Sequence, residues 1–233
     1  MEGVDLDIKV CLVFIFNHRY DDNIPKLRKI YGKRFRNIRY LVPFYVGTDE
    51  EVIPVYESSY QFQGYLIQAY TKLMEVDADF YFFIADDLIL NPLYNENNIM
   101  EKMNTNGMKA VTSDFHLLND VGNFSWSHAR FSSRPFFSAA SQWKGSLPSY
   151  SDALKKFAFF WGRNYPEKYQ DSFFAPLVNE SYTHYENAKE QFKHYNNGTL
   201  EIPYPLAWGY SDIFGLHRDI MHDVAHTCGV FRL

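Results

Sequence analysis

The stretch FYFFIADDLILNP, residues 80–92, decides how the rest of the chain is interpreted. Its first six residues, Phe80–Ala85, are all apolar or aromatic, which is typical of a strand covered on both faces in a parallel sheet. Two adjacent carboxylates, Asp86 and Asp87, follow directly. Ligands of open α/β sheets bind outside the carboxyl ends of the strands. The stretch therefore predicts both a buried central strand and the edge at which a site would form.

The residues before this strand predict a strand–helix–strand unit. Ile8–Phe16 is a second run that is apolar on both faces, and Ile38–Tyr45 is a third. Between them, Ile24–Tyr31 has apolar residues at helical spacing and predicts a helix. The helix signals are Ile24, Leu27 and Ile30 as the apolar face, Asn23 as the N-cap and Pro25 in the first turn.

The same alternation continues on both sides of the carboxylate pair. Further helices are predicted over Tyr60–Met74 and Asn95–Met103, a strand over Lys109–Phe115, a strand or loop over Leu206–Phe214 and a helix over Arg218–His226. Such alternation favours an α/β domain with a mostly parallel sheet flanked by helices.

An aromatic-rich segment, Gly122–Pro205, interrupts the rhythm. It predicts an insertion packed on the sheet, with helices over Ser151–Trp161 and Ser181–Tyr195. We therefore expect one domain over residues 1–233, in which 1–121 forms one half and 122–233 forms the insertion and the second half.

Composition limits the class of protein. The chain has 233 residues, of which 18% are aromatic, and its net charge is −5. The aromatic content excludes a disordered chain, and the lack of a basic block argues against a nucleic-acid partner. The two cysteines, Cys11 and Cys228, match no zinc or redox spacing, which favours a reduced compartment. The apolar run near the start follows acidic residues and is too short for a leader or a membrane span, so we expect a cytoplasmic protein with at most peripheral membrane contact.

Two neighbouring carboxylates after a buried strand have two interpretations. They repel each other unless a cation joins them, and a hard divalent ion such as Mg²⁺ or Mn²⁺, shared with substrate phosphates, would do so. Alternatively, they form a turn and a helix cap, since Asp is favoured in turns. The pair alone does not decide between these interpretations.

The order of elements around Asp86 and Asp87 resembles the nucleotide-sugar glycosyltransferases of the GT-A fold, a Rossmann-related family whose metal-binding "DXD" motif follows an apolar strand. The resemblance covers residues 8 to about 116, and 206–226 more loosely, but not the insertion. It implies an Mn²⁺- or Mg²⁺-dependent transferase that takes a sugar from a nucleoside-diphosphate sugar, by family frequency UDP, to a glycan or lipid-linked glycan. Ala85 occupies the first acidic position of the motif, so the ribose contact that this position often makes is in doubt.

The resemblance also implies roles for individual residues. Asp87 would be the first metal ligand, with Asp86 a second polar contact and His217 a further ligand from the C-terminal region. Asp212 would be the general base for the acceptor hydroxyl in an inverting reaction, whereas a retaining reaction would not need it. The residues expected beside the nucleotide are Phe16, Asn17, His18, Arg19 and Gln63. Each also has a structural explanation, as a core residue, a solvated turn, a surface polar residue or a lone structural histidine.

Two other functions stay open at the level of sequence. A sugar nucleotidyltransferase shares this fold neighbourhood, but the turn Asn17–Asp22 lacks the glycine of a phosphate loop. A non-catalytic carbohydrate-binding module would explain Ala85 but not the retained Asp86 and Asp87.

Overall fold

A computed structural model describes residues 8–58, 62–105, 107–117, 151–152, 155, 190, 193 and 207–230. The chain divides into two compact units, Met1–Ser113 together with Tyr210–Leu233, and Asp114–Gly209. The C-terminal segment therefore belongs with the N-terminal part of the chain, whereas the sequence analysis grouped it with the insertion. The insertion predicted over Gly122–Pro205 lies outside the described residues, apart from isolated helical positions within its two predicted helices.

The first unit is built from alternating strands and helices. In chain order, the described elements are β1 (Val10–Ile15), a 3-10 turn (Asp21–Asn23), α1 (Ile24–Tyr31), β2 (Asn37–Pro43), β3 (Val52–Val55), α2 (Phe62–Met74), β4 (Phe80–Ala85), α3 (Ile99–Lys102), β5 (Ala110–Leu117), β6 (Ala207–His217) and α4 (Arg218–Val230).

The six strands form one sheet in the order β3-β2-β1-β4-β6-β5. Strand β1 pairs in parallel with β2 on one side and β4 on the other, and β3 continues the parallel part beside β2. Strand β6 runs antiparallel to β4. The α/β class predicted from the sequence is confirmed, with the refinement that the sheet is mixed.

Apolar residues of the central strands alternate between two cores, one on each face of the sheet. Phe14 and Phe82 point into a core that also holds Tyr31 of α1. Val13 and Phe83 point into the opposite core, which α2 and α4 cover. A strand buried on both faces loses the alternating polar pattern, which explains the continuous apolar runs in the sequence.

The close approach of β6 to β4 depends on a glycine. A Cβ at Gly215 would lie 2.5 Å from the ring of Phe80 and 2.8 Å from Cγ1 of Val111. Gly215 pairs with Phe82 in the antiparallel register, so the aromatic rings of β4 occupy the space that a side chain would need.

Arg218, the first residue of α4, ties this helix to the chain that enters β4. Its guanidinium donates to the carbonyls of Met74, Val76 and Ala78 and to the hydroxyl of Tyr81, at 2.6–3.1 Å. Carbonyls at a helix C-terminus carry partial negative charge, and a cation placed there is stabilising.

The two cysteines are both free thiols. Cys11 is fully buried in the middle of the sheet, and this burial raises its pKa to about 12. Cys228, on α4, is partly exposed, and burial raises its pKa as well.

Three local predictions need correction. Strand β3 was not predicted, and the helix expected over Asn95–Met103 is only the single turn Ile99–Lys102. The buried face of α1 consists of Ile24, Leu27 and Tyr31, whereas Ile30 is 41% exposed.

Of the helices in the described part of the chain, none is long and apolar enough to cross a membrane.

Candidate functional site

The carboxyl ends of the parallel strands place several predicted site residues along one edge of the sheet. The backbone pairing extends past the strands, because Asp86 N–H donates to the carbonyl of Ile15 at 3.1 Å and Phe16 N–H donates to that of Leu41 at 3.0 Å. The segment after β1 and the Asp86-Asp87 pair after β4 are therefore neighbours. This is the edge at which α/β sheets bind their ligands.

Asp86 is the buried member of the carboxylate pair, with 7% of its surface exposed. Its Oδ2 accepts a hydrogen bond from Nδ2 of Asn23 at 3.2 Å, and its carboxylate also accepts from the backbone N–H of Asn17. Burial raises the pKa of Asp86, those two hydrogen bonds oppose the rise, and the nearby charge of Asp87 adds to it. A cation between the two carboxylates would relieve both the desolvation and the repulsion.

Asp87 is the exposed member of the pair. It lies in a turn that is closed by a hydrogen bond from the Leu88 N–H to the Ala85 carbonyl at 3.1 Å. The two adjacent carboxylates therefore differ sharply in environment, since one is held by fixed donors and the other faces solvent.

The residues that follow β1 are divided between core and surface. The ring of Phe16 is fully buried, so only its backbone borders the edge, and its carbonyl accepts from the hydroxyl of Tyr65 at 3.2 Å. His18 is exposed and meets Tyr20 edge-on, with the ring centroids 5.6 Å apart. Arg19 donates through Nε and Nη2 to Oδ2 of Asp21, both at 3.2 Å.

Gln63 lies in the first turn of α2 and is exposed. Helix α2 leads from β3 to the parallel strand β4, so it begins at the carboxyl edge of the sheet. Gln63 is thus on the predicted edge, although no described contact ties its side chain to Asp86 or Asp87.

The antiparallel direction of β6 separates Asp212 from His217. Ile213 pairs with Ile84, so Asp212, which is exposed, lies one residue farther toward the carboxyl end of β4, at the same edge of the sheet as the carboxylate pair. His217 pairs with Phe80 at the other end of β4, and the six residue steps from Phe80 to Asp86 span about 20 Å. The structure does not bring His217 to Asp87. Its Nδ1 instead accepts from the backbone N–H of Asp219 at 3.2 Å.

Asn23 takes the N-cap position of α1, as predicted, but its side chain contacts Asp86. Its position before α1 predicted an N-cap, but its side chain makes no capping hydrogen bond. It donates to Asp86 instead, and its Oδ1 accepts from Nζ of Lys26 at 3.2 Å. An Asn before a helix commonly caps it. The contact of the Asn23 side chain with Asp86, after β4, is visible only in the fold.

Two exposed aromatic side chains lie farther along the same edge. Phe44, after β2, is 54% exposed, and Tyr56, after β3, is 64% exposed, with ring centroids 6.2 Å apart. Phe44 also has a φ of 52°, an unfavourable conformation for a bulky residue. Exposed rings suit stacking on a planar or sugar ring.

The carboxylates at this edge could hold a metal ion only if substrate phosphates and water supplied the remaining ligands. In the part of the chain that the structure describes, no group of three or more His, Cys, Asp or Glu side chains could hold a metal ion. Mg²⁺ and similar ions are commonly held by one or two carboxylates together with substrate phosphates and water. Asp86 and Asp87 meet that requirement, since they supply two adjacent carboxylates of which one is exposed.

Comparison of the chain with protein-family models, with curated proteins and with solved structures gives no match. The residues and the geometry of this edge are therefore what indicates a function for the protein.

Proposed function

We propose that this protein is a metal-dependent glycosyltransferase with a GT-A-like fold. It would transfer a sugar from a nucleoside-diphosphate sugar, with UDP the first carrier to test, to a hydroxyl of a glycan or lipid-linked glycan. The single observation that carries the proposal is the placement of Asp86, Asp87 and Asp212 at the same edge of the sheet, at the carboxyl end of β4. A cytoplasmic location with at most peripheral membrane contact belongs to the same proposal.

The donor half of the site is the carboxylate pair and the segment after β1. Asp87, which faces solvent, is the primary metal ligand, and Asp86 is the second. Bound Mn²⁺ or Mg²⁺ supplies Lewis-acid stabilisation of the departing nucleoside diphosphate. Asn17 and Asn23 hold the Asp86 carboxylate in a fixed orientation. Arg19 is exposed and would reach a phosphate by leaving or sharing its partly buried partner Asp21.

The acceptor half of the site is Asp212 on β6. In an inverting reaction, its carboxylate takes the proton of the acceptor hydroxyl as the oxygen bonds to the anomeric carbon and the bond to the diphosphate breaks. A retaining reaction would leave Asp212 without this role. Trp208 and Tyr210 belong to the same strand, and their side chains lie outside the described residues.

Calorimetry tests the donor half directly. Nucleoside diphosphates and nucleotide sugars are titrated into the protein with Mn²⁺ and, separately, with a chelator. We expect Mn²⁺-dependent binding of one nucleoside diphosphate, and we expect Asp87→Ala to weaken it by at least about 100-fold because a charged ligand is removed. Asp77→Ala is the matched control, since Asp77 is an exposed carboxylate before the opposite end of β4.

A wild-type protein that binds no nucleotide under any of these conditions would overturn the proposal. Equal losses in Asp87→Ala and Asp77→Ala would also count against it, because the effect would then not depend on the carboxyl edge. Asp212→Asn separates the two halves of the site. Transfer should stop in this variant while donor binding persists, and normal turnover would remove Asp212 as the base.

A further inference from the structure

The segment after Asp87 has little regular structure, yet it is anchored firmly to the chain around the end of α1. Between Leu88 and Asn98 the backbone passes through turns before the short helix α3. Arg34 donates through Nη1 to the carbonyls of Asn91 and Tyr94, both at 3.0 Å. Arg36 donates through its backbone N–H to Oε2 of Glu96 at 2.8 Å, and its Nε lies 2.7 Å from Oε1. The turn that carries Asp87 thus lies between β4 and a segment that is fixed farther along the chain.

The anchor nearest to Asp87 is the hydroxyl of Tyr31. It accepts a hydrogen bond from the backbone N–H of Leu90 at 2.9 Å and donates to the carbonyl of Leu88 at 3.4 Å. These groups begin one residue after Asp87. Leu90 and Tyr31 are both buried, so water would not readily replace the hydroxyl if it were removed.

The position of that hydroxyl is fixed by packing around the ring. The centroids of Tyr31 and Phe14 are 5.0 Å apart, and those of Tyr31 and Phe35 are 6.3 Å apart. The guanidinium of Arg34 lies over the Tyr31 ring, 4.5 Å from its centroid. Phe14 belongs to β1, which pairs with β4. The packing of Tyr31 on Phe14 therefore fixes the position of its hydroxyl relative to the sheet that carries Asp86.

We infer that Tyr31 is a positioning residue for the Asp87 carboxylate. Its hydroxyl pins the turn after β4, and thereby sets where Asp87 presents its oxygens relative to the fixed carboxylate of Asp86. This inference rests on the proposed function, because a defined separation of the two carboxylates matters only if both meet one metal ion. Outer residues that orient metal ligands commonly control affinity in this way.

The test is a pair of Tyr→Phe substitutions compared by Mn²⁺ affinity. Tyr31→Phe keeps the ring and removes only the hydroxyl. Tyr81→Phe is the matched control, because Tyr81 is equally buried but its hydroxyl donates to the Leu73 carbonyl at 2.9 Å, on the opposite face of the sheet. Free Mn²⁺ is followed by electron paramagnetic resonance, with Mn²⁺ alone and with Mn²⁺ plus UDP, at a temperature where thermal unfolding curves show all variants folded.

We expect Tyr31→Phe to weaken Mn²⁺ binding about tenfold, because the Leu90 N–H would be left unsatisfied and the turn would shift to relieve it. Tyr81→Phe should stay within about twofold of the wild type. Arg34→Gln, which removes the guanidinium from the same segment, should weaken binding in the same direction by a smaller factor. It also keeps the inference testable should Tyr31→Phe fold poorly.

Wild-type affinity in both Tyr31→Phe and Arg34→Gln would overturn the inference and leave the proposed function standing. Equal losses in Tyr31→Phe and Tyr81→Phe would overturn it too, because the effect would then be one of general stability. If the wild-type protein itself binds no Mn²⁺ with or without UDP, the proposed function fails and the inference fails with it.

Discussion

At one end of β4, Asp86 is a buried carboxylate whose pKa is raised and Asp87 faces solvent, and at the same edge of the sheet Phe44, after β2, adopts a positive φ. At the other end, Arg218 donates four hydrogen bonds to the entering chain, and Lys9 pairs with Asp77. At the carboxyl end one carboxylate is desolvated and the backbone of Phe44 is strained, whereas the polar groups at the amino end are satisfied by one another. Strain and desolvation persist where a function maintains them. The contrast teaches that substitutions at the two ends should change stability in opposite directions.

The largest effect is expected at the amino end. Arg218→Ala should lower the free energy of unfolding by about 3 kcal/mol, because four hydrogen bonds from a charged group to partly buried acceptors are lost. Urea unfolding measures this. Arg218→Lys is the conservative control and should recover less than half of the loss, since an ammonium cannot reproduce the planar fork. A loss below about 1 kcal/mol would show that this end is not the stabilising one.

At the carboxyl end, Asp86→Asn should act in the opposite direction. In metal-free buffer at pH 7 it should raise the free energy of unfolding by about 1 kcal/mol, the scale of an ordinary substitution, because a neutral amide replaces a desolvated charge. The same variant should lose Mn²⁺-dependent nucleotide binding. A variant that is less stable than the wild type at pH 7 would contradict the contrast between the two ends.

The pH dependence of that difference has a defined sign. The pKa of Asp86 is raised in the folded protein, so between its unfolded and folded pKa values the folded state binds more protons. The contribution of Asp86 to stability therefore falls as the pH rises through this window. We expect the advantage of Asp86→Asn to be present at pH 7 and to shrink as the pH is lowered toward 4. Urea unfolding of both proteins at several pH values, with a chelator present, measures it.

A smaller gain is expected from Phe44→Asn. Asn tolerates a positive φ, so this substitution should relieve backbone strain while losing the partial contact with Tyr56, for a net gain of about 0.5 kcal/mol. Phe44→Ala is the control, since Ala loses the ring but keeps the strain, and it should not stabilise. Thermal unfolding distinguishes the two, and equal melting temperatures would remove strain as the cause.

The smallest effect belongs to the surface pair at the amino end. Asp77→Ala breaks an exposed ion pair with Lys9, and such pairs contribute little to stability. We expect no measurable change in melting temperature. A clear loss would mean that the amino end is stabilised by its surface charges as well as by Arg218.

The strands and helices that the sequence predicted well are those with long, uninterrupted patterns. Strand β4 occupies Phe80–Ala85 as predicted, and α1 occupies Ile24–Tyr31. Strand β3 was missed because it has four residues and contains Pro54, which removes a backbone donor and is tolerated at a sheet edge. Local pattern therefore specified the longer strands, the edge strand β5 among them, but not the short edge strand β3.

The site was predicted less completely because its geometry depends on strand direction. Nothing in the sequence of β6 tells whether it runs parallel or antiparallel to β4, and that direction decides whether Asp212 or His217 comes near Asp86. The hydroxyl of Tyr31 was equally hidden, since its partners lie 57 and 59 residues away along the chain.

The buried thiol of Cys11 is a natural probe for the unfolding of the central strand β1. A thiol with a pKa of about 12 and no exposed surface does not react with alkylating reagents while the sheet is closed. Cys228, on the partly exposed face of α4, should react first. The slower of the two labelling rates, that of Cys11, then measures how often β1 opens. Native-state alkylation read by mass spectrometry would therefore follow the unfolding of the whole sheet without any engineered probe.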